Sequence, residues 1–367
     1  MSAAGRAGRV RARLASAEID ALLVGDLTNL RWLTGFTGSN GWCVLGPQSL
    51  TIVTDGRYGE QAAQQTAAAG VETEVLVGST AAEVLQHVAD VCNRFRRVGF
   101  ESAHLTFAQH AHFAGMMYAQ LHPVQGLVEI ERRTKDDGEI EAIARACRIA
   151  DQALAEVAPL LGTGLTEAQV RNQLEIRMRE LGATGPSYET IVATGPVNAA
   201  LPHHRPTDTV VEEGHTLIID VGALVDGYHS DMTRSFVIGD PTPLQRELYE
   251  VVLAAQTAGV AAVATGLSTK ELDAVCRGII TEAGYGDWFT HGTGHGVGLL
   301  IHEDPFVNRA GDAILQVGDV VTVEPGVYRG GFGGIRVEDL VVVTSAGCRV
   351  LTASPKDSPC PPSPPTT

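Results

Sequence analysis

Three apolar, β-branched runs in the second half of this 367-residue chain carry acidic residues where buried strands ordinarily carry none. HTLIIDVGALV places Asp220 behind Leu217, Ile218 and Ile219, DVVTVEPGVY sets Glu324 between Val323 and Pro325, and GIRVEDLVVVT sets Glu338 behind Val337. A fourth acid, Asp231, lies in YHSDMTR. An ionised carboxylate is costly to bury unless a cation or hydrogen-bond donors balance it. One such acid reads as a buried ion pair, whereas four point to a cation site. Side chains alternate along a strand, so Thr322 and Glu324 share one face, and Arg336 and Glu338 share one face of the next strand. The glycine-rich link between the last two runs suits a hairpin-like pair, which would turn acids from neighbouring strands into one hollow.

HGTGHGVGLLIHEDP, residues 291–305, holds His291, His295 and His302 in and just after a run of alternating glycines. It is no phosphate loop, because Leu299 and Leu300 stand where such a loop ends in G-K-[ST]. It is no zinc-protease helix either, since H-E-x-x-H would require a histidine at Phe306. The glycines read as clearance that lets metal and peptide approach the backbone. Four carboxylates and one imidazole form an oxygen-rich donor set that favours Mn²⁺, Fe²⁺ or Co²⁺, with enough ligands for two ions.

The rest of the chain reads as a frame for this site. ALLVG, CVLG and LTIVTD are strand-like, TAAEVLQHVADVCNRF has helical spacing, and together they make a small α/β domain. The charged stretch from Glu131 marks a boundary, followed by a helix with Ile140, Ile143, Ala144, Cys147, Ala150, Leu154 and Val157 on one stripe. Capping boxes start three more helices at Thr166 with Gln169, Thr242 with Gln245, and Ser268 with Glu271. The fold class is therefore α+β in the second domain after a smaller α/β domain: residues 1–130, 131–352, and a Pro- and Ser-rich tail, 353–367, expected to be disordered. Arg6, Arg9, Arg13, Val10 and Leu14 read as a first amphipathic helix rather than a transit peptide.

A formal charge of −16 opposes a phosphate backbone, so no nucleic-acid partner is expected. No apolar run approaches the roughly 20 residues of a spanning helix, so no membrane partner is expected either. Six cysteines without a C-x-x-C pair exclude a zinc knuckle or disulfide scaffold and point to a reducing cytoplasm.

In order and spacing, ALPHH (200–204), IIDVGALVDGYHSDMTR (218–234), HGTGHGVGLLIHEDP, VTVEPGVY (321–328) and GGIRVEDLV (333–341) resemble the pita-bread metallopeptidases of the Xaa-Pro group, aminopeptidase P and prolidase. LTNLRWLTGFTGSNG (27–41) and TDGRYGEQA (54–62) resemble that group's creatinase-like N-terminal domain. The resemblance implies metal ligands at Asp220, Asp231, His295, Glu324 and Glu338, with Asp231 and Glu338 bridging two divalent ions, most readily Mn²⁺ or else Co²⁺. It implies catalytic roles for His203, His302 and Glu324, and places His291 and Arg336 along the site. Of the adjacent pair His203 and His204, only one is expected to reach the cleft. The implied reaction is hydrolysis of the Xaa-Pro bond in dipeptides or at peptide N-termini, by a homodimer or higher homo-oligomer. The rival is a non-catalytic peptide-binding protein on the same fold.

Overall fold

The computed structural model describes residues 3–362, which form two compact units divided between Arg132 and Arg133. In the first, a six-stranded mixed sheet runs in the order 74–78, 50–55, 42–45, 21–24, 97–101, 120–124. The runs read as strands from the sequence lie at its centre. The helix Ala81–Cys92 is capped by the Thr80 side chain and buries Val84, Val88, Val91 and Cys92. The N-terminal stretch is the amphipathic helix Arg6–Leu14, with Ala7, Val10 and Leu14 buried.

The second unit opens with the helix Asp137–Val157, started by a capping box between Asp136 and Glu139. The stripe expected from the sequence is its buried face, with Ile140 only partly covered. The three other capping boxes are present as expected. Each satisfies backbone N–H groups that the first turn of a helix leaves without partners.

The strand Thr216–Asp220 runs antiparallel between Ile191–Thr194 and Thr233–Val237, which sets Asp220 opposite both Thr233 and Ile191. The two C-terminal acidic runs pair as a hairpin, but each is broken once. Val320–Val323 pairs with Asp339–Thr344, and Gly326–Arg329 pairs with Gly333–Arg336. Glu324 and Glu338 fall in the facing breaks. Pro325 has no N–H to continue a ladder, and the backbone N–H groups of Glu324 and Glu338 donate instead to Thr293 O (2.8 Å) and Thr233 O (3.1 Å). These side bonds bring the segment around residue 293 and the strand around Thr233 against the two acids.

The expectation of a disordered tail is corrected over residues 353–360. Ser354 is buried, its N–H and hydroxyl donate to Asp151, and its carbonyl accepts from the Arg234 guanidinium. Tyr249 donates to the carbonyls of Lys356 and Ser358, and Val237 N–H donates to Pro359 O. Composition argues against an apolar core in this segment, but it is held by polar bonds to its backbone. Residues 363–367 of the expected tail lie outside the described residues.

Candidate active site and metal centre

A cavity of about 410 Å³ in the second unit is lined by every residue singled out above: Asp220, Asp231, His295, Glu324, Glu338, His203, His302, His291 and Arg336. They arrive from six stretches of chain, so their convergence is the work of the strand arrangement. Carboxylate oxygens of Asp220, Asp231 and Glu338 all lie within 4.8 Å of one another. His295 Nε2 stands 3.5 Å from Asp231 Oδ2 and 3.4 Å from Glu324 Oε1.

The His295 ring is oriented from behind. Its Nδ1 sits 3.0 Å from Gly296 O, a carbonyl that can only accept, so Nδ1 carries the proton. In the neutral ring the Nε2 lone pair then faces two carboxylates. The acids have their own supports: Thr233 donates to Glu338 Oε2 (2.7 Å), Thr322 donates to Glu324 Oε1 (3.2 Å), and Arg336 pairs with Asp220 (2.7 Å). Glu338 Oε1 is buried without a hydrogen-bond partner among the described residues. Burial and then the facing carboxylates push the pKa of Asp231 and of Glu338 well above the ordinary range, and burial raises Glu324 as well.

His291 and Arg336 form the wall. His291 Nδ1 donates to Gly292 O (2.7 Å) and its Nε2 lies 2.9 Å from the Tyr328 hydroxyl, which accepts from Arg336 Nη1 (2.8 Å). Burial, with Arg336 nearby, lowers the His291 pKa to about 4, so the ring is neutral at pH 7. Arg336 also holds Thr233 and the carbonyl of Pro202. Four of its five N–H donors are spent on the frame of the site.

His203 and His302 are exposed at the cavity, and the His302 ring meets that of His295 edge-on at 4.4 Å. Burial and the neighbouring His295 depress the His302 pKa. His204 lines the cavity as well, where only one of the adjacent pair was expected to reach it, and it is buried with its Nε2 2.9 Å from Glu167 Oε2.

Tyr188 was not found from the sequence. Its hydroxyl bridges Asp220 and Asp231, at 2.6 Å from the latter. It lies in no periodic run and no motif, so nothing in its neighbourhood marks it. The glycines of HGTGHGVG also need a correction. A Cβ on Gly294 would meet Thr322 O at 2.1 Å, one on Gly296 would meet Asp304 O at 2.4 Å, and one on Gly298 would meet the Glu303 carboxylate at 2.3 Å. These glycines clear neighbouring protein strands, and through them they hold His295 over the acids.

Two family models match the chain: metallopeptidase family M24 over residues 141–345 and the creatinase/prolidase N-terminal domain over residues 6–133. An uncharacterized peptidase of Bacillus subtilis is 40% identical over 342 residues, covering 92% of this chain and 95% of its own. A solved Xaa-Pro dipeptidase from Bacillus anthracis superposes with a TM-score of 0.93 at 38% identity, covering 97% of this chain and 99% of that one. An X-Pro aminopeptidase from Thermotoga maritima gives 0.86 at 33% identity, with 93% and 97% covered. The chain belongs to metallopeptidase family M24, in its Xaa-Pro group, with a creatinase/prolidase N-terminal domain ahead of the pita-bread unit.

Proposed function

We propose that this protein is a metal-dependent exopeptidase that hydrolyses Xaa-Pro bonds, in dipeptides or at the N-terminus of longer peptides. The observation that carries the reading is the convergence of four carboxylates and the free face of His295 on one hollow, with Glu338 Oε1 buried and unbonded. Arg336 reaches this group through Asp220, and one cation does not balance four acids. The donor set fits two divalent ions held by Asp220, Asp231, His295, Glu324 and Glu338, with oxygen-rich coordination suited to Mn²⁺ and tolerant of Co²⁺. When bound, such ions supply Lewis acidity and lower the pKa of water.

The residues around them do the rest. Glu324 has a raised pKa from burial, which suits it to take the proton of the attacking water and pass it on. His203 and His302 face the cavity from its open side and are placed to donate to the carbonyl oxygen as it gains charge. The proline nitrogen must leave with a proton, which these groups can return to it. Neutral His291, Tyr328 and Arg336 keep the acids in place, and Tyr188 fixes the separation of Asp220 and Asp231. The six free cysteines support a reducing, cytoplasmic setting, and resemblance supports a homodimer or higher homo-oligomer, which light scattering tests.

Comparing proline release from Ala-Pro with release of the first residue from Ala-Pro-Ala, by protein stripped of metal and then given Mn²⁺ or Co²⁺, tests the reading and sets the substrate length. Metal-stimulated hydrolysis of one or both is expected. No hydrolysis of either by metal-loaded protein would favour the non-catalytic, peptide-binding alternative.

A further inference from the structure

We propose that Glu167 is a positioning residue that sets the place of His203 in the cleft, an inference that rests on the Xaa-Pro peptidase reading of that cleft. Glu167 is the first residue of the helix Glu167–Glu180. An acid in a first helical turn ordinarily faces solvent and gains a little from the helix dipole. This one is fully buried, at 0% exposure.

Its carboxylate is filled from one stretch of chain. Oε1 accepts from Thr194 N–H (2.7 Å) and Asn198 Nδ2 (3.1 Å). Oε2 accepts from His204 Nε2, Thr207 N–H and the Thr207 hydroxyl, at 2.9, 2.9 and 2.8 Å. The donors span residues 194–207, the segment that contains ALPHH. From 201 to 209 this segment has no regular secondary structure, so neither a helix nor a strand ladder fixes His203.

Side-chain bonds do so instead. The residue after His203 is tied to Glu167, and the carbonyl of the residue before it accepts from Arg336 Nη1 at 3.2 Å. With Pro202 and His204 both held, the His203 backbone has little room to move, and its ring is left on the cavity side. Bonds to an ionised acceptor are stronger than neutral ones, and a carboxylate can accept from all five donors where an amide cannot. Glu167→Gln replaces one acceptor oxygen by an NH₂ group, so donors face a donor whichever way the amide turns. Glu167→Asp keeps the acceptors and draws them back by one methylene.

The test is a kinetic cycle on full-length protein loaded with Mn²⁺, using Ala-Pro or Ala-Pro-Ala, paired with amide hydrogen exchange. Displacing a reacting group by about 1 Å costs on the order of 100-fold in rate. Glu167→Gln is therefore expected to lower kcat about 10- to 100-fold, with bound metal unchanged and KM nearly so. In a His203→Ala background the same change is expected to have no further effect on kcat. Exchange is expected to quicken at 194–207 and not elsewhere, with Glu167→Asp restoring most protection and part of kcat. If Glu167→Gln does not fold, His204→Ala, which removes one of the donors from outside the helix, carries the same readouts at smaller amplitude.

An equal loss of kcat with and without His203 overturns the proposal, as does unchanged exchange at 194–207. A wild-type protein inactive on both peptides refutes the peptidase reading. The exchange arm then still judges the clamp: a selective rise at 194–207 upholds it, and no rise overturns it.

Discussion

Glu338 and Asp339 are consecutive, equally buried at 1% exposure each, and turned to opposite sides of the same chain. Glu338 faces Asp231, Asp220 and Glu324, and its pKa is raised well above the ordinary range by burial and by those acids. Asp339 faces Arg234, Lys356, Gln256 and the Thr352 hydroxyl. Burial alone would raise its pKa too, but Arg234 and Lys356 hold it below the usual value. Burial is therefore not what distinguishes a cation site from a structural acid. What distinguishes them is whether the protein supplies the positive charge. On the Asp339 side it does, and the acid latches the C-terminal segment; on the Glu338 side acids face acids, and the charge has to come from outside.

The largest effect is expected where the acid side does chemistry. Glu324→Gln and His302→Ala should each lower turnover on an Xaa-Pro peptide by about 10²- to 10⁴-fold while circular dichroism stays that of wild type, since general acid–base groups contribute that much. Near-wild-type turnover by either would remove its assigned role.

The next effects separate the two neighbours by sign. Asp339→Asn leaves Arg234 buried without its anionic partner, and about 3 kcal/mol of stability should be lost in denaturant unfolding. Glu338→Gln makes the same chemical change one residue earlier. In metal-free protein it relieves repulsion and should add on the order of 1 kcal/mol, while metal binding is lost. Two losses of similar size would mean that the acid cluster is balanced within the protein after all.

The smallest effect is the pH dependence of these differences, in metal-free protein. A raised Glu338 gives its full stability below the unfolded carboxylate value, and that stability declines as pH rises through the folded value. The advantage of Glu338→Gln over wild type should thus be absent below about pH 4 and open above it. A lowered Asp339 behaves in the opposite way: its stability is present above the unfolded value and lost as pH falls through the folded one. The penalty of Asp339→Asn should therefore be full at neutral pH and shrink below about pH 4. Unfolding free energies at pH 4 and pH 7 for the three proteins check both trends.

The acid side was legible because a carboxylate inside an apolar run breaks a pattern. Asp220, Glu324 and Glu338 each do so, Asp231 joins them from the polar stretch YHSDMTR, and His295 stands out among glycines with His302 just after them. Helix starts were legible for a similar reason, as capping boxes are local chemistry. The balanced side was not. Asp151 and Tyr249 sit on ordinary helices, and their grip on residues 353–360 uses backbone carbonyls and N–H groups that composition does not report. Tyr188 and Glu167 were hidden in the same way, because their partners lie 32 to 43 residues off for Tyr188 and 27 to 40 for Glu167. The breaks at Glu324 and Glu338 interrupt the strands without undoing the alternation, as the Thr322–Glu324 bond and the shared contact of Arg336 and Glu338 with Thr233 attest.

Calorimetric titration of metal-stripped protein with Mn²⁺, with Ala-Pro hydrolysis followed on the same samples, tests the central claim most directly. Two ions per chain should bind to wild type, with activity rising as they do and both signals lost in Glu338→Gln. A protein that binds no Mn²⁺, or that binds it unchanged after Glu338→Gln, would contradict the assignment of these acids as a metal centre.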